Sequence, residues 1–239
     1  MSIKVINIGG RAVNNYVLIT EFGCVVIDTG YAGGFPAFSR RLSESGVSMT
    51  DISYIFLTHA HDDHAGFLGE LILATEAPVI LHHEAINRLM LGHNQFIGGC
   101  SSKLAQLFCR CMSIIGNGKQ EFPPVNVSSR AIVVDAKTQP LENLSIPATV
   151  LLLPGHTADS IGLLLDDGRL FCGDAAMNNF PSVARHTIWI EDAEMFIHSW
   201  DLIIASGAKI IYPGHGKPFP VEDLRRFYNY MEGKNLLPI

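Results

Sequence analysis

Residues Thr58–His59–Ala60–His61–Asp62–Asp63–His64–Ala65–Gly66 place three histidines and two aspartates within six consecutive positions. Imidazole nitrogen and carboxylate oxygen are the donors that zinc, iron and manganese accept in proteins. Further donors follow downstream: His156 after Pro154–Gly155, Asp174 after Gly173, and His215 after Pro213–Gly214. His59 and His61 are two apart, so on an extended segment they point the same way. Asp63 and His64 are adjacent and are expected to diverge. The cluster therefore suits two neighbouring ions better than one. His59, His61, His156 and Asp174 serve the first; Asp63, His64, His215 and Asp174, which can bridge with its two oxygens, serve the second. Both donor sets are nitrogen and oxygen only, consistent with two divalent zinc ions, with iron or manganese as alternatives.

Such donors must be carried by rigid elements. Ile3–Ile8 and Tyr16–Thr20, separated by Gly9–Gly10 and Asn14–Asn15, predict a hairpin. Cys24–Ile27 predicts a strand buried on both faces and runs into Asp28–Thr29–Gly30. Phe35, Phe38 and Leu42 give helical spacing over Phe35–Ser45, stopped at Gly46. Ile52–Leu57 predicts the strand that delivers the histidine cluster. Helices are expected over Phe67–Thr75, His83–Leu91, Ala193–Ser206 and Val221–Glu232. Strands are expected over Pro78–Leu81, Ala131–Asp135, Thr149–Leu153, Ile161–Leu165, Arg169–Cys172 and Lys209–Tyr212. Asp166–Asp167–Gly168 supplies a hairpin turn. Asp28, His59, His156, Asp174 and His215 each fall just past the end of an apolar strand, where ligands gather in α/β architectures.

Between Gly92 and Val127 the pattern loosens, with one amphipathic helix expected over Ser102–Ile115. This stretch is read as a helical insertion in a single domain spanning 1–239, serving either as a lid over the metals or as a homodimer interface.

The chain has 239 residues, 48% hydrophobic, with a net charge of −6. That supports one sizeable core. No basic block advertises a nucleic-acid surface, and no apolar run is long enough to cross a bilayer. Met1–Gly10 lacks a secretory pattern, and the five cysteines form an irregular odd set, so a reduced, cytoplasmic protein is expected.

Taken together, Thr58–His59–Ala60–His61–Asp62–Asp63–His64, Gly155–His156, Gly173–Asp174, Gly214–His215 and the upstream Asp28–Thr29–Gly30 resemble the metallo-β-lactamase superfamily, with all five motifs in order. The resemblance implies an α/β fold of four αββα layers and a dinuclear site along one edge of two sheets. It also implies that Asp28 orients a ligand rather than touching metal. The β-lactamases of that superfamily commonly carry cysteine where Asp174 stands and lack a counterpart of His64. Its oxygen-reducing diiron members carry glutamate at the position of His61. Hydroxyacylglutathione hydrolases share the full ligand set but add a C-terminal helical domain, which is not expected in a chain ending at Ile239. Acyl-homoserine lactonases are similar in ligand set and length. The implied activity is a zinc-dependent hydrolase acting on a small acyl substrate: an ester, thioester or lactone. A metal-bridging hydroxide attacks the carbonyl, and Asp63 orients the nucleophile. The alternatives are a non-hydrolytic metal-binding or redox member of the fold, or a phosphodiesterase or nuclease.

Other residues carry weaker signals. His186, in the Asn178–Ile190 loop, and Phe180 are candidate substrate contacts. Phe35, Phe96 and Phe108 join Phe180 as candidate pocket walls, against the commoner role of aromatics as core. His82 and His83 sit at a strand end. Cys109 and Cys111 point to different faces of their helix, which favours packing over metal binding.

Overall fold

The architecture comes from a computed structural model that describes residues 3–94, 97–114, 120–136, 141, 144, 146–230 and 235–239. It divides into two compact units. One comprises residues 1–94 and 120–145, the other residues 95–119 and 146–239. Of the 92–127 stretch, residues 92–94 and 120–127 fall in the first unit and 97–114 in the second. Phe96 and Ile115 lie outside the described residues, as do the last two residues of the expected C-terminal helix.

In the first unit, β1 (Lys4–Asn7) and β2 (Tyr16–Thr20) form the expected antiparallel hairpin, and β2 pairs antiparallel with β3 (Gly23–Ile27). Helix α1 (Phe35–Glu44) follows, with Pro36 in its first turn, and buries Phe38 and Leu42. Then come β4 (Ile52–Phe56), the single turn α2 (Asp62–Ala65), α3 (Leu68–Thr75), β5 (Val79–His82) and α4 (His83–Leu91). Strand β4 is parallel to β3 and to β5. The apolar faces of α1, α3 and α4 share one core with the strands, built around Leu42, Ile55, Leu68, Leu71 and Leu89.

The second unit begins with β6 (Gly99–Cys100) and α5 (Lys103–Ile114). The chain then returns to the first unit for β7 (Ala131–Val134), which closes a six-stranded sheet ordered β1-β2-β3-β4-β5-β7. Strand β8 (Ala148–Leu152), the hairpin β9 (Ile161–Leu165) and β10 (Arg169–Gly173), β11 (Trp189–Ile190), α6 (Ala193–Ala205), β12 (Ile210–Pro213), β13 (Phe219–Pro220) and α7 (Glu222–Phe227) complete the second unit. Its five-stranded sheet runs β13-β12-β10-β9-β8, and β6 pairs separately with β11. The two-residue strands β6, β11 and β13 were not expected. They are too short to show a period-two pattern.

Helix α6 starts where Asp192 accepts the backbone N–H groups of Glu194 and Met195. It buries Phe196, Trp200 and Ile203, and the Trp200 indole donates to the Ala175 carbonyl at 2.7 Å. That bond removes the cost of enclosing an indole N–H. Among the described residues no helix is long and apolar enough to cross a membrane.

Strand direction decides where chemistry can gather. In the first sheet β3 and β4 are parallel, so Asp28 and the histidine cluster emerge from the same edge. In the second sheet β8 is antiparallel to β9, β9 to β10, and β10 is parallel to β12. The C-terminal ends of β8, β10 and β12 therefore share an edge, and His156, Asp174 and His215 follow them. Gly155 makes the turn before His156 with φ of +129°, and a Cβ there would meet the Phe196 backbone nitrogen at 2.2 Å. Its carbonyl accepts the N–H groups of Glu191 and Asp192, so α6 abuts the turn directly. Gly155→Ala is expected to lower unfolding stability by at least about 2 kcal/mol through strain and overpacking. Urea denaturation measures it, and an unchanged midpoint would contradict the close approach described here.

Candidate metal centre

In the first unit the donors are positioned from Asp28. Its carboxylate is buried and accepts three hydrogen bonds. The Thr58 N–H donates to Oδ1 at 2.7 Å, while the Thr58 hydroxyl and His64 Nδ1–H donate to Oδ2, each at 2.8 Å. With its proton committed to Asp28, the Thr58 hydroxyl can accept from His59 Nδ1, 3.0 Å away. This assignment leaves Nε2 as the lone-pair nitrogen of both His59 and His64, the tautomer a metal requires. Next in the chain, the Thr29 N–H and hydroxyl both donate to the His64 carbonyl at 2.7 Å.

His61 is the extended residue before α2, and its ring lies 4.7 Å from that of His59. The rings of His59 and His64 are 4.1 Å apart. Asp63 and His64 do not diverge as expected. Within a helical turn successive residues differ by about 100°, and Asp63 Oδ1 lies 3.7 Å from His64 Nε2. Beside them, burial and the Asp63 carboxylate push Asp62 up to about 6. Gly66 permits the packing behind the cluster, because a Cβ there would lie 2.4 Å from the Ala32 nitrogen.

In the second unit, His156 Nδ1–H donates to the Trp189 carbonyl at 2.7 Å, again leaving Nε2 as the lone-pair nitrogen. Asp174 Oδ2 stands 3.8 Å from His156 Nε2 and 3.3 Å from His215 Nε2. Two ligands of a tetrahedral ion with bonds of roughly 2.0–2.1 Å are separated by about 3.4 Å. Spacings of 3.3 to 3.8 Å between imidazole nitrogen and carboxylate oxygen thus suit ligands of one ion better than direct hydrogen bonds. Each unit by itself presents buried imidazoles, carboxylates and preset tautomers. The donor set fits a divalent transition metal.

Other expectations meet different environments. His186 is fully buried and stacks on Trp200 with centroids 4.4 Å apart, near Phe196 and Tyr230. It lies in the aromatic core of the second unit rather than on a solvent-facing wall. Phe180 is exposed and meets Phe108 edge-on at 6.3 Å. Phe35 packs against Phe67 in the first core. His82 accepts from the Glu84 N–H at the start of α4 and acts as a helix cap.

Three positioning groups were missed in the sequence. Thr58 lies inside the motif but carries no ligand signature. The Trp189 carbonyl is main chain and has no side-chain signal at all. Asn94, buried, donates to the Ala60 carbonyl at 2.9 Å and so holds the loop between His59 and His61. Nothing in the sequence ties a residue that far downstream to that loop.

A beta-lactamase-like protein 2 homolog from Drosophila melanogaster is 25% identical over 92% of this chain and 64% of its own length. A protein named thioesterase pkgB from Emericella nidulans is 27% identical over 86% of this chain and 46% of its own. The chain thus spans roughly half to two thirds of those relatives. A solved archaeal metallo-beta-lactamase superfamily protein from Sulfolobus tokodaii covers 100% of this chain and 89% of its own at TM-score 0.65 and 20% identity. A metallo-beta-lactamase family protein from Thermus thermophilus covers 96% and 78% at TM-score 0.67 and 22% identity. At such identities the structures show the fold, which is the α/β metallo-β-lactamase fold the motifs imply. The profile of the metallo-beta-lactamase superfamily matches residues 8–215, and the chain belongs to that superfamily.

Proposed function

We propose that this protein is a dinuclear metal hydrolase cleaving a small acyl substrate: an ester, thioester or lactone. The observation that carries the reading is the preset Nε2 of His64 and His156, each beside a carboxylate oxygen at ligand spacing. His59, His61, His156 and Asp174 would hold one ion, and Asp63, His64, His215 and Asp174 the other. Zinc fits the donors, with iron or manganese as substitutes. Divalent cations supply a water acidic enough to serve as hydroxide near neutral pH and a charge that polarises a carbonyl.

The protein's own groups do the rest. Asp28 and the Trp189 carbonyl keep His64 and His156 neutral at Nε2 by holding the proton on Nδ1. Asp63 accepts a hydrogen bond from the attacking water and aims its lone pair. Burial of the ligand imidazoles limits bulk water, so charge developing on the substrate oxygen is poorly screened. A relative named as a thioesterase supports acyl transfer over phosphodiester cleavage.

Helix α5 is proposed to select the substrate. The ligand set serves many chemistries, so preference must come from neighbouring residues. Leu104 and Leu107 stand exposed on α5, and Phe108 meets exposed Phe180. These suit an apolar acyl group. The same face fits a second copy of the chain if the protein is a homodimer.

Protein purified without added metal is expected to hold close to two ions per chain by elemental analysis. It should turn over at least one class in a panel of generic esters, thioesters, lactones and phosphodiesters. Two bound ions with no turnover would leave a binding module instead; turnover of phosphodiesters alone would reassign the substrate. Asp63→Ala should lose at least a hundredfold in kcat/KM, roughly 3 kcal/mol of transition-state stabilisation, with its circular dichroism unchanged. Full activity in that variant would remove Asp63 from the mechanism. Replacing residues 102–115 with a Gly/Ser linker should erase substrate preference while metal content and oligomeric state persist. Conversion to monomer with preference intact would make α5 an interface.

A further inference from the structure

Around His215 the second unit carries a set of contacts that extends well beyond the ligands themselves. Segments 173–178 and 214–217 are joined at both ends. At one end the Gly214 N–H donates to the Gly173 carbonyl at 2.8 Å, and these are the residues just before His215 and Asp174. At the other end the Asn178 N–H donates to the His215 carbonyl at 2.9 Å, and Asn178 Nδ2 donates to the Lys217 carbonyl at 2.7 Å. Asn178 thus grips the backbone on both sides of Gly216. The approach is close: Gly216 has a φ of +90°, and a Cβ there would meet the Asn178 carbonyl oxygen at 2.0 Å. The first clamp is main chain and needs no particular side chain. The second depends on the Asn178 amide.

That amide is set in turn by Arg185. Arg185 Nη1 donates to Asn178 Oδ1, which fixes the amide with Nδ2 toward Lys217. Arg185 Nε and Nη2 both donate to Asp223 Oδ2 on α7, at 2.9 and 2.7 Å. The guanidinium carbon lies 4.7 Å from the centroid of the Phe219 ring. Phe219 is the register partner of Ile211 on β12, the strand that leads to His215. The Arg185 carbonyl accepts the Met177 N–H at 2.9 Å, so the two segments also meet next to Asn178. Three donors of one rigid planar fork therefore address two acceptors.

We propose, resting on the dinuclear reading of His215, that Arg185 and Asn178 are positioning residues for that ligand. The fork sets the amide, and the amide sets the His215 backbone from which the imidazole reaches its ion. Neither residue touches metal; they act in series, through the main chain. Lysine at position 185 keeps a positive charge beside Asp223 but lacks the planar fork, so geometry and charge can be separated. Groups that orient a ligand without touching the metal typically carry roughly ten- to a hundredfold of metal affinity.

Zinc titration of the full chain against a chromophoric chelator tests this on Asn178→Ala, Arg185→Lys and the double variant. In each single variant one of the two zinc ions is expected to bind at least about tenfold more weakly, with the other within about twofold of the unaltered chain. The double variant should be no weaker than the worse single one, because residues acting in series are not additive. Arg185→Lys that matches the unaltered chain at both ions overturns the role of the fork, and Asn178→Ala that matches it overturns the brace. Equal weakening of both ions, with a lower unfolding midpoint of the metal-free chain, marks a general loss of stability and also overturns it. An unaltered chain that binds fewer than two zinc ions refutes the dinuclear reading, and the brace is then judged by hydrogen exchange. The Asn178 backbone N–H should exchange at least about tenfold faster in metal-free Arg185→Lys; an unchanged rate overturns the brace.

Discussion

The Asp28 carboxylate is the constraint on which the cluster depends. A buried carboxylate without partners costs several kcal/mol. Here three donors converge on it, and hydrogen bonds to a charged group are worth about 1.5–3 kcal/mol each. Two come from Thr58 and one from His64, so satisfying one carboxylate fixes both ends of the histidine cluster. The backbone contributes too. Asp28 sits at φ of +59°, a left-handed conformation that aspartate tolerates better than most residues. Its N–H donates to the Phe56 carbonyl at the end of β4, which keeps the two strand ends in register.

The second unit solves the same problem by other means. A main-chain carbonyl orients His156, on a strand of only two residues. That strand is held by β6, and the turn bearing His156 is wedged against α6 at Gly155. Positioning is thus spread over several short segments rather than focused on one buried charge.

Legibility followed side-chain chemistry. His59, His61, Asp63 and His64 could be picked out because they crowd into one short stretch, and Asp28, His156, Asp174 and His215 because each is an ionisable or ligating side chain near glycine just past an apolar strand. His186 was a candidate substrate contact from its place in a loop, but it lies in an aromatic core, since a loop imidazole carries no mark of which way it faces. The divergence expected of Asp63 and His64 failed because a four-residue helical turn is too short to read from periodicity, yet it brings the two side chains to one side.

By itself the sequence determined the candidate donors, their order and the strands that precede them. Those rest on local rules: apolar runs make strands, glycine permits the turn beyond, and imidazole and carboxylate bind metal. It also identified the superfamily, because five motifs in one order leave few alternatives. The tertiary structure alone decided which ring nitrogen His59, His64 and His156 present, that Thr58 relays Asp28 to His59, and that Asn94 holds the Ala60 carbonyl. These depend on contacts between residues remote in sequence, or on main-chain carbonyls that every residue shares, and no local pattern encodes them.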